Sequence, residues 1–131
     1  MNLAERKSFL DSFDFVFTDC DGVLWNTIPR TPFPQSSEGI DCLKKLGKKV
    51  VYVSNNSVRP INAHILKTLG FKTDEKYIVH PAKTISEYLK NMNFNGLIYC
   101  LTSTHFQNYL KNEGFNVYDE VGILSIIKIS C

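Results

Sequence analysis

Two short runs set the terms on which this chain can fold. Phe15-Val16-Phe17-Thr18-Asp19 and Lys49-Val50-Val51-Tyr52-Val53 are rich in aromatic and β-branched residues, and each passes directly into polar residues. Such runs read as strands buried on both faces, the form that parallel sheets require. Between them Ile40, Leu43 and Leu46 recur every third residue and Gly47 follows, which predicts a short helix with a glycine stop. The pattern then repeats. Pro60 opens a predicted helix with Ile61, Ile65, Leu66 and Leu69 on one face and Gly70 at its end. Tyr77 to Val79 reads as a short strand, and Pro81 starts a helix whose apolar face is Ile85, Tyr88, Leu89 and Met92. Alternating strands and helices of this kind specify an α/β fold, a parallel sheet flanked by helices.

The flanking segments are less regular. Residues 1–12 read weakly as a leading helix, and 27–34, with three prolines, as an ordered loop. Asn95-Gly96 separates a further unit: a strand from Leu97 to Leu101, a helix carrying Phe106, Tyr109 and Leu110, and a stop at Gly114. Residues 121–130 are apolar with high β propensity and one charge, a composition comfortable only when paired and covered.

Composition excludes several classes. At 131 residues, 44% hydrophobic and 21% charged, the chain is one ordinary globular length. A net charge of +2 does not imply nucleic acid, and the cluster Lys44, Lys45, Lys48 and Lys49 reads as a solvated face. No run approaches the roughly 18 apolar residues that cross a bilayer, and residues 1–12 lack a signal-peptide core. The cysteines at 20, 42, 100 and 131 are irregularly spaced, as free thiols in a reducing cytoplasm would be. His64, His80 and His105 have no zinc-ligand spacing.

The chemistry is concentrated where the first strand ends. Asp19 and Asp21 flank Cys20, and Gly22 follows, so two carboxylates meet at the carboxyl edge of the sheet, where open α/β folds bind ligands. Such close like charges resist ionisation unless a cation neutralises them, and hard oxygen ligands suit Mg²⁺. A polar turn would use the same residues to bond its own backbone. The second strand ends in Ser54-Asn55-Asn56-Ser57. A parallel crossover can bring it beside the first, about 4.8 Å away, so Ser54, Asn55 and the free N–H groups of the helix near Pro60 could meet an anion there. Carboxylates repel that anion, and Mg²⁺ bridging carboxylate to phosphate resolves the conflict. Cys20 should point to the opposite face, into the core, and Trp25 either lines the site or packs beneath the loop that follows it.

Taken together, Asp19-Cys20-Asp21-Gly22-Val23-Leu24-Trp25 and Val50-Val51-Tyr52-Val53-Ser54-Asn55-Asn56-Ser57 resemble the first two motifs of the haloacid dehalogenase superfamily. More narrowly, they resemble its phosphoglycolate, pyridoxal phosphate and 4-nitrophenyl phosphatase branch. The resemblance implies a Rossmann-like core, here residues 1–94 and incomplete, followed at 95–131 by the start of an αβ cap with an atypical tail at 121–131. It implies Mg²⁺-dependent hydrolysis of a small phosphate ester, with Asp19 as nucleophile and metal ligand. Asp21 would be general acid and base and bind the metal through its backbone carbonyl, while Ser54, Asn55 and Asn56 hold the phosphate. The proline-rich loop takes the place of the family's flap. Expected partners are a small phosphorylated metabolite and a second copy or full-length homologue paired through the cap, with no nucleic acid and no membrane. The family's later lysine and acidic motifs have no counterpart in this sequence, so the alternative is a catalytically inactive fragment or isoform that binds phosphate or dimerises with a full-length phosphatase. Receiver-like phosphoacceptors and nucleotide-sugar transferases also gather aspartates, but neither accounts for the glycine-apolar turn together with the Ser54 loop.

Overall fold

The computed structural model describes residues 2–118; the apolar run at 121–130 lies outside them. Helix α1 (Leu3–Asp11) is closed at its start by a reciprocal pair in which the Asn2 side chain accepts from the Glu5 N–H and the Glu5 carboxylate accepts from the Asn2 N–H. Strand β1 (Phe15–Asp19), helix α2 (Ser36–Lys45), strand β2 (Lys49–Val53), helix α3 (Ala63–Thr68) and strand β3 (Ile78–Val79) follow. Then come α4 (Pro81–Asn91), β4 (Leu97–Tyr99), α5 (Thr104–Asn112) and β5 (Asn116–Tyr118). The described residues fall into two compact units, 2–54 with Ile61–Val79, and Asn55–Pro60 with 80–118.

In the first unit β1, β2 and β3 form a parallel sheet in that order, with Phe15 opposite Lys49 and Asp19 opposite Val53. This is the parallel α/β arrangement the sequence predicts. Its core gathers Trp25, Tyr52, Leu66, Phe71 and Ile78, all with 4% exposure or less, and Phe71 lies tilted between the Trp25 ring at 5.6 Å and the Tyr52 ring at 6.2 Å. Burial of each such side chain contributes about 1.5–3 kcal/mol. Cys20 is completely buried in the same cluster, in the core as expected.

Two sequence expectations need correction here. β1 is not buried on both faces: Phe15 is 49% and Phe17 70% exposed, because among the described residues β1 is an edge strand and its alternate side chains face outward, whereas Val50, Val51 and Tyr52 of the central β2 are buried. Nor does a helix begin at Pro60. α3 starts at Ala63, capped by the Asn62 side chain, which accepts from the Ile65 N–H at 2.9 Å. The Ala63 N–H donates to the Glu75 carboxylate at 2.7 Å, and the Leu66 N–H to the Asn62 carbonyl at 3.0 Å. Donors assigned from sequence to an incoming anion are therefore used within the fold.

The second unit is built on a two-stranded parallel sheet, β4 beside β5, with a core of Ala82, Phe106, Leu110 and Val117. α4 lies where Pro81 predicts, but it turns a different face inward. Ala82 and Ser86 are buried, while Ile85, Tyr88 and Met92 are 42%, 63% and 57% exposed. Small side chains on α4 allow it to approach α5 closely, and that contact outweighs the larger apolar stripe in setting its rotation. Its first turn is capped by His80, whose Nδ1 accepts from the Lys83 N–H at 3.4 Å and whose ring meets Tyr109 edge-on.

Candidate active site

The carboxyl edge of the first sheet is shaped by a tight turn. Gly22 takes φ +83°, a left-handed conformation that a side chain disfavours, and its N–H donates to the Trp25 carbonyl at 2.8 Å. The Leu24 N–H returns to the Cys20 carbonyl at 2.9 Å, so the chain doubles back on itself as soon as it leaves β1. Trp25 bridges to Asp21 on one side and Pro32 on the other, and Asn26 N–H donates to the Thr31 carbonyl. The loop between them projects Ile28 into solvent at 76% exposure. Its base is tied to the start of α2 by the Ser36 hydroxyl, which reaches the carbonyls of Leu24 and Phe33. The proline-rich segment is thus an ordered projection beside the aspartates.

This turn places the two carboxylates differently. Asp19, the last residue of β1, is exposed. Asp21 is half-buried and held from two sides: the Trp25 indole Nε1–H donates to Oδ1 at 3.0 Å and the Ser54 hydroxyl to Oδ2 at 3.4 Å. The indole is wholly buried, and its N–H needs a partner there. The sequence left Trp25 between lining the site and packing; it packs, and in doing so orients Asp21. A buried tryptophan four residues beyond an aspartate was the available signal.

Ser54 is 3% exposed, and its N–H donates to the Val79 carbonyl at 2.9 Å, extending the ladder one step past β2. Its hydroxyl meets Asp21. Asn55 is exposed, and the Asn56 side-chain oxygen accepts from the N–H groups of Val58 and Arg59, both at 3.0 Å, shaping its own loop. Burial pushes the Cys20 thiol up to about 12, reinforced by Asp19 and Asp21 and opposed by Arg30. A thiol in that state is an inert packing group.

No group of three or more His, Cys, Asp or Glu side chains suited to a metal is present among the described residues. The donors at this edge nevertheless fit Mg²⁺, which binds proteins through one or two carboxylate oxygens and keeps waters or phosphate oxygens for the rest. With both Asp21 side-chain oxygens engaged, the exposed Asp19 carboxylate and the Asp21 main-chain carbonyl are the groups that would hold it.

A family model described as haloacid dehalogenase-like hydrolase matches residues 16–116, a span that contains both motifs and most of the chain. The chain belongs to that family. Its curated relatives include a 4-nitrophenylphosphatase of Schizosaccharomyces pombe, 40% identical over 48% of this chain and 20% of that protein. A chloroplastic phosphoglycolate phosphatase 1A of Arabidopsis thaliana is 32% identical over 70% of this chain and 25% of that protein. Among solved structures, a p-nitrophenyl phosphatase from Archaeoglobus fulgidus superposes with a TM-score of 0.66 at 27% identity, covering 79% of this chain and 40% of that one. The chain therefore spans a fifth to a quarter of these curated relatives. No helix among the described residues is long and apolar enough to cross a membrane.

Proposed function

We propose that this chain carries the nucleophile, acid–base and phosphate-contact half of a Mg²⁺-dependent phosphomonoesterase acting on a small ester of the phosphoglycolate, glycerol phosphate, pyridoxal phosphate or nitrophenyl phosphate class. The observation that carries the reading is the division of labour between the aspartates: Asp19 exposed at the strand end, Asp21 fixed by Trp25 and Ser54. An exposed carboxylate can approach phosphorus, and a positioned one can manage a proton. An Asp19 oxygen attacks phosphorus as the P–O bond to the alcohol breaks, and Asp21 delivers its proton to the departing oxygen. Asp21 then accepts a proton from the water that attacks the aspartyl phosphate at phosphorus, which releases inorganic phosphate and restores Asp19. In this reading Asn55 contacts the phosphate, Ser54 joins it when its hydroxyl turns away from Asp21, and Asn56 sets the loop that follows. Bound Mg²⁺ would neutralise the charge shared by Asp19 and the phosphate.

A second reading has its own support. Asp19 and Asp21 have no third acidic ligand beside them among the described residues, so the chain could hold phosphate without turning it over, or act when paired with a second copy or a longer homologue. Hydrolysis of nitrophenyl phosphate by purified chain, with Mg²⁺ and with EDTA, separates the two. The phosphatase reading expects turnover that requires Mg²⁺; phosphate binding by folded protein with no turnover favours the second. The same proposal places the protein in a reducing, cytoplasmic setting, in keeping with its unpaired Cys20, Cys42 and Cys100.

A further inference from the structure

The amino edge of the same sheet holds a feature that the phosphatase reading does not use. Where β2 begins, a cleft of about 610 Å³ is lined by Lys44 and Lys48 from the end of α2 and the turn after it, Lys49 of β2, Lys67 of α3, and Lys72 of the loop beyond, with Asp74 as the one acidic group. All of these residues belong to the first unit. Three of the four lysines that read from sequence as a solvated face thus line a concavity, with Lys45 outside it, and two further lysines more than a dozen residues downstream join them.

Among the described residues, none of the five has a carboxylate within 4 Å, unlike Lys7, Lys76 and Lys90. Two of them turn to neutral oxygens instead. Lys44 Nζ donates to the Tyr52 hydroxyl at 3.3 Å and to the Lys72 carbonyl, and Lys48 Nζ donates to the Phe13 carbonyl at 2.7 Å. Burial holds the Lys44 ammonium below its usual range, with Asp41 and Asp74 opposing. The Lys48 and Lys49 ammonium groups rest over the Phe13 and Phe15 rings at the rim, and five lysines gathered around one recess repel one another, a cost that an anion of matching charge relieves.

We propose that this cleft binds a small ligand carrying several phosphate groups, at a site separate from the aspartate edge. Its volume lies in the range of metabolite pockets. The charge argues for polyphosphate over a monophosphate, since one phosphate cannot meet lysines drawn from four segments. The concave shape and the chain's net charge of only +2 argue against a nucleic acid, which needs an extended basic face. The Tyr77 ring is already covered by Lys76 Nζ at 5.0 Å, so recognition rests on phosphate and not on a stacked base. Lys49, where β2 begins, is five residues from Ser54, so at about 3.3 Å per residue the cleft's edge lies about 16 Å from Ser54 along the strand.

The test is an amide NMR and calorimetric titration of the full chain with tripolyphosphate in EDTA, beside sedimentation with vesicles bearing a phosphoinositide bisphosphate. Shifts confined to Lys44, Lys48, Lys67 and Thr73, with one-to-one binding, support a soluble polyphosphate ligand. Vesicle binding that tripolyphosphate competes away supports the same site with a lipid headgroup as its source. The exposed triple variant Lys49→Gln, Lys67→Gln, Lys72→Gln should bind about thirtyfold more weakly, the sum of three surface charge contacts. A triple variant outside the cleft, Arg6→Gln, Lys7→Gln, Lys111→Gln, removes the same charge and should bind within about threefold of the parent. Equal weakening in both variants, shifts centred on Asp19 and Asp21, or no binding in either assay overturns the proposal.

Discussion

The two ends of the three-stranded sheet hold opposite charge in opposite ways. At the carboxyl edge, Asp21 is held by neutral donors from Trp25 and Ser54, and the turn at Gly22 fixes the backbone that carries it. At the amino edge, five lysines line a recess, and Lys44 and Lys48 lean on neutral carbonyl and hydroxyl oxygens. Parallel strands make this separation available, because every strand start lies at one edge and every strand end at the other. The difference teaches where precision resides. One edge orients a single group by directed bonds; the other accumulates charge with few directional constraints.

Breaking the carboxyl edge should have the largest effect. Asp19→Asn should lower kcat for nitrophenyl phosphate by about a thousandfold or more while leaving the thermal midpoint near that of the parent, because Asp19 is exposed and removal of a nucleophile is not locally compensated. Paired steady-state kinetics and thermal melts check both halves of that expectation. Trp25→Phe keeps most of the ring packing against Phe71 but removes the donor to Asp21. It should cost about 1–3 kcal/mol in urea unfolding and lower kcat more than it changes KM.

A third expectation concerns the core that joins the two edges. Burial pushes both the Cys20 thiol and the Tyr52 hydroxyl up to about 12, from 9.0 and 10.0, so the unfolded chain loses these protons first. Stability from these groups is complete below pH 9 and falls as the pH rises from 9 towards 12. Urea midpoints measured from pH 7 to 11 should decline over that window, and the decline should be shallower in Cys20→Ala and in Tyr52→Phe. The smallest effect is expected at the amino edge. Lys67→Met keeps the aliphatic stem of an exposed side chain and removes a charge that has no ion pair among the described residues, so the unfolding free energy should change by less than about 1 kcal/mol.

Much of this was legible in the sequence, and the exceptions have physical causes. The apolar runs of β1 and β2, the helix stop at Gly47 and the two motifs were readable because each depends on local spacing. Exposure of Phe15 and Phe17 was not, since strand order decides which strand is at an edge and local composition does not. Pro60 looked like a helix start, but the side chains of Asn56 and Asn62 shape and cap the stretch around it, and a side-chain cap is decided by geometry two or three residues away. The α4 face was misread because size outranked fit: Ala82 and Ser86 pack inside, and Ile85 and Tyr88 do not. In the candidate site the residue types were clear, while the bonds that orient Asp21 emerged only once Trp25 and Ser54 were brought to it.

The central claim is that Asp19 is the nucleophile at an edge where Asp21 manages the proton. Its most direct measurement is a rapid acid quench of the chain with Mg²⁺ and nitrophenyl phosphate, followed by peptide mass analysis. The account predicts one phosphoryl group on the peptide containing Asp19, assigned to that residue by borohydride reduction and absent in Asp19→Asn. Turnover that persists in Asp19→Asn, or a phosphoryl group found on Ser54, would contradict it.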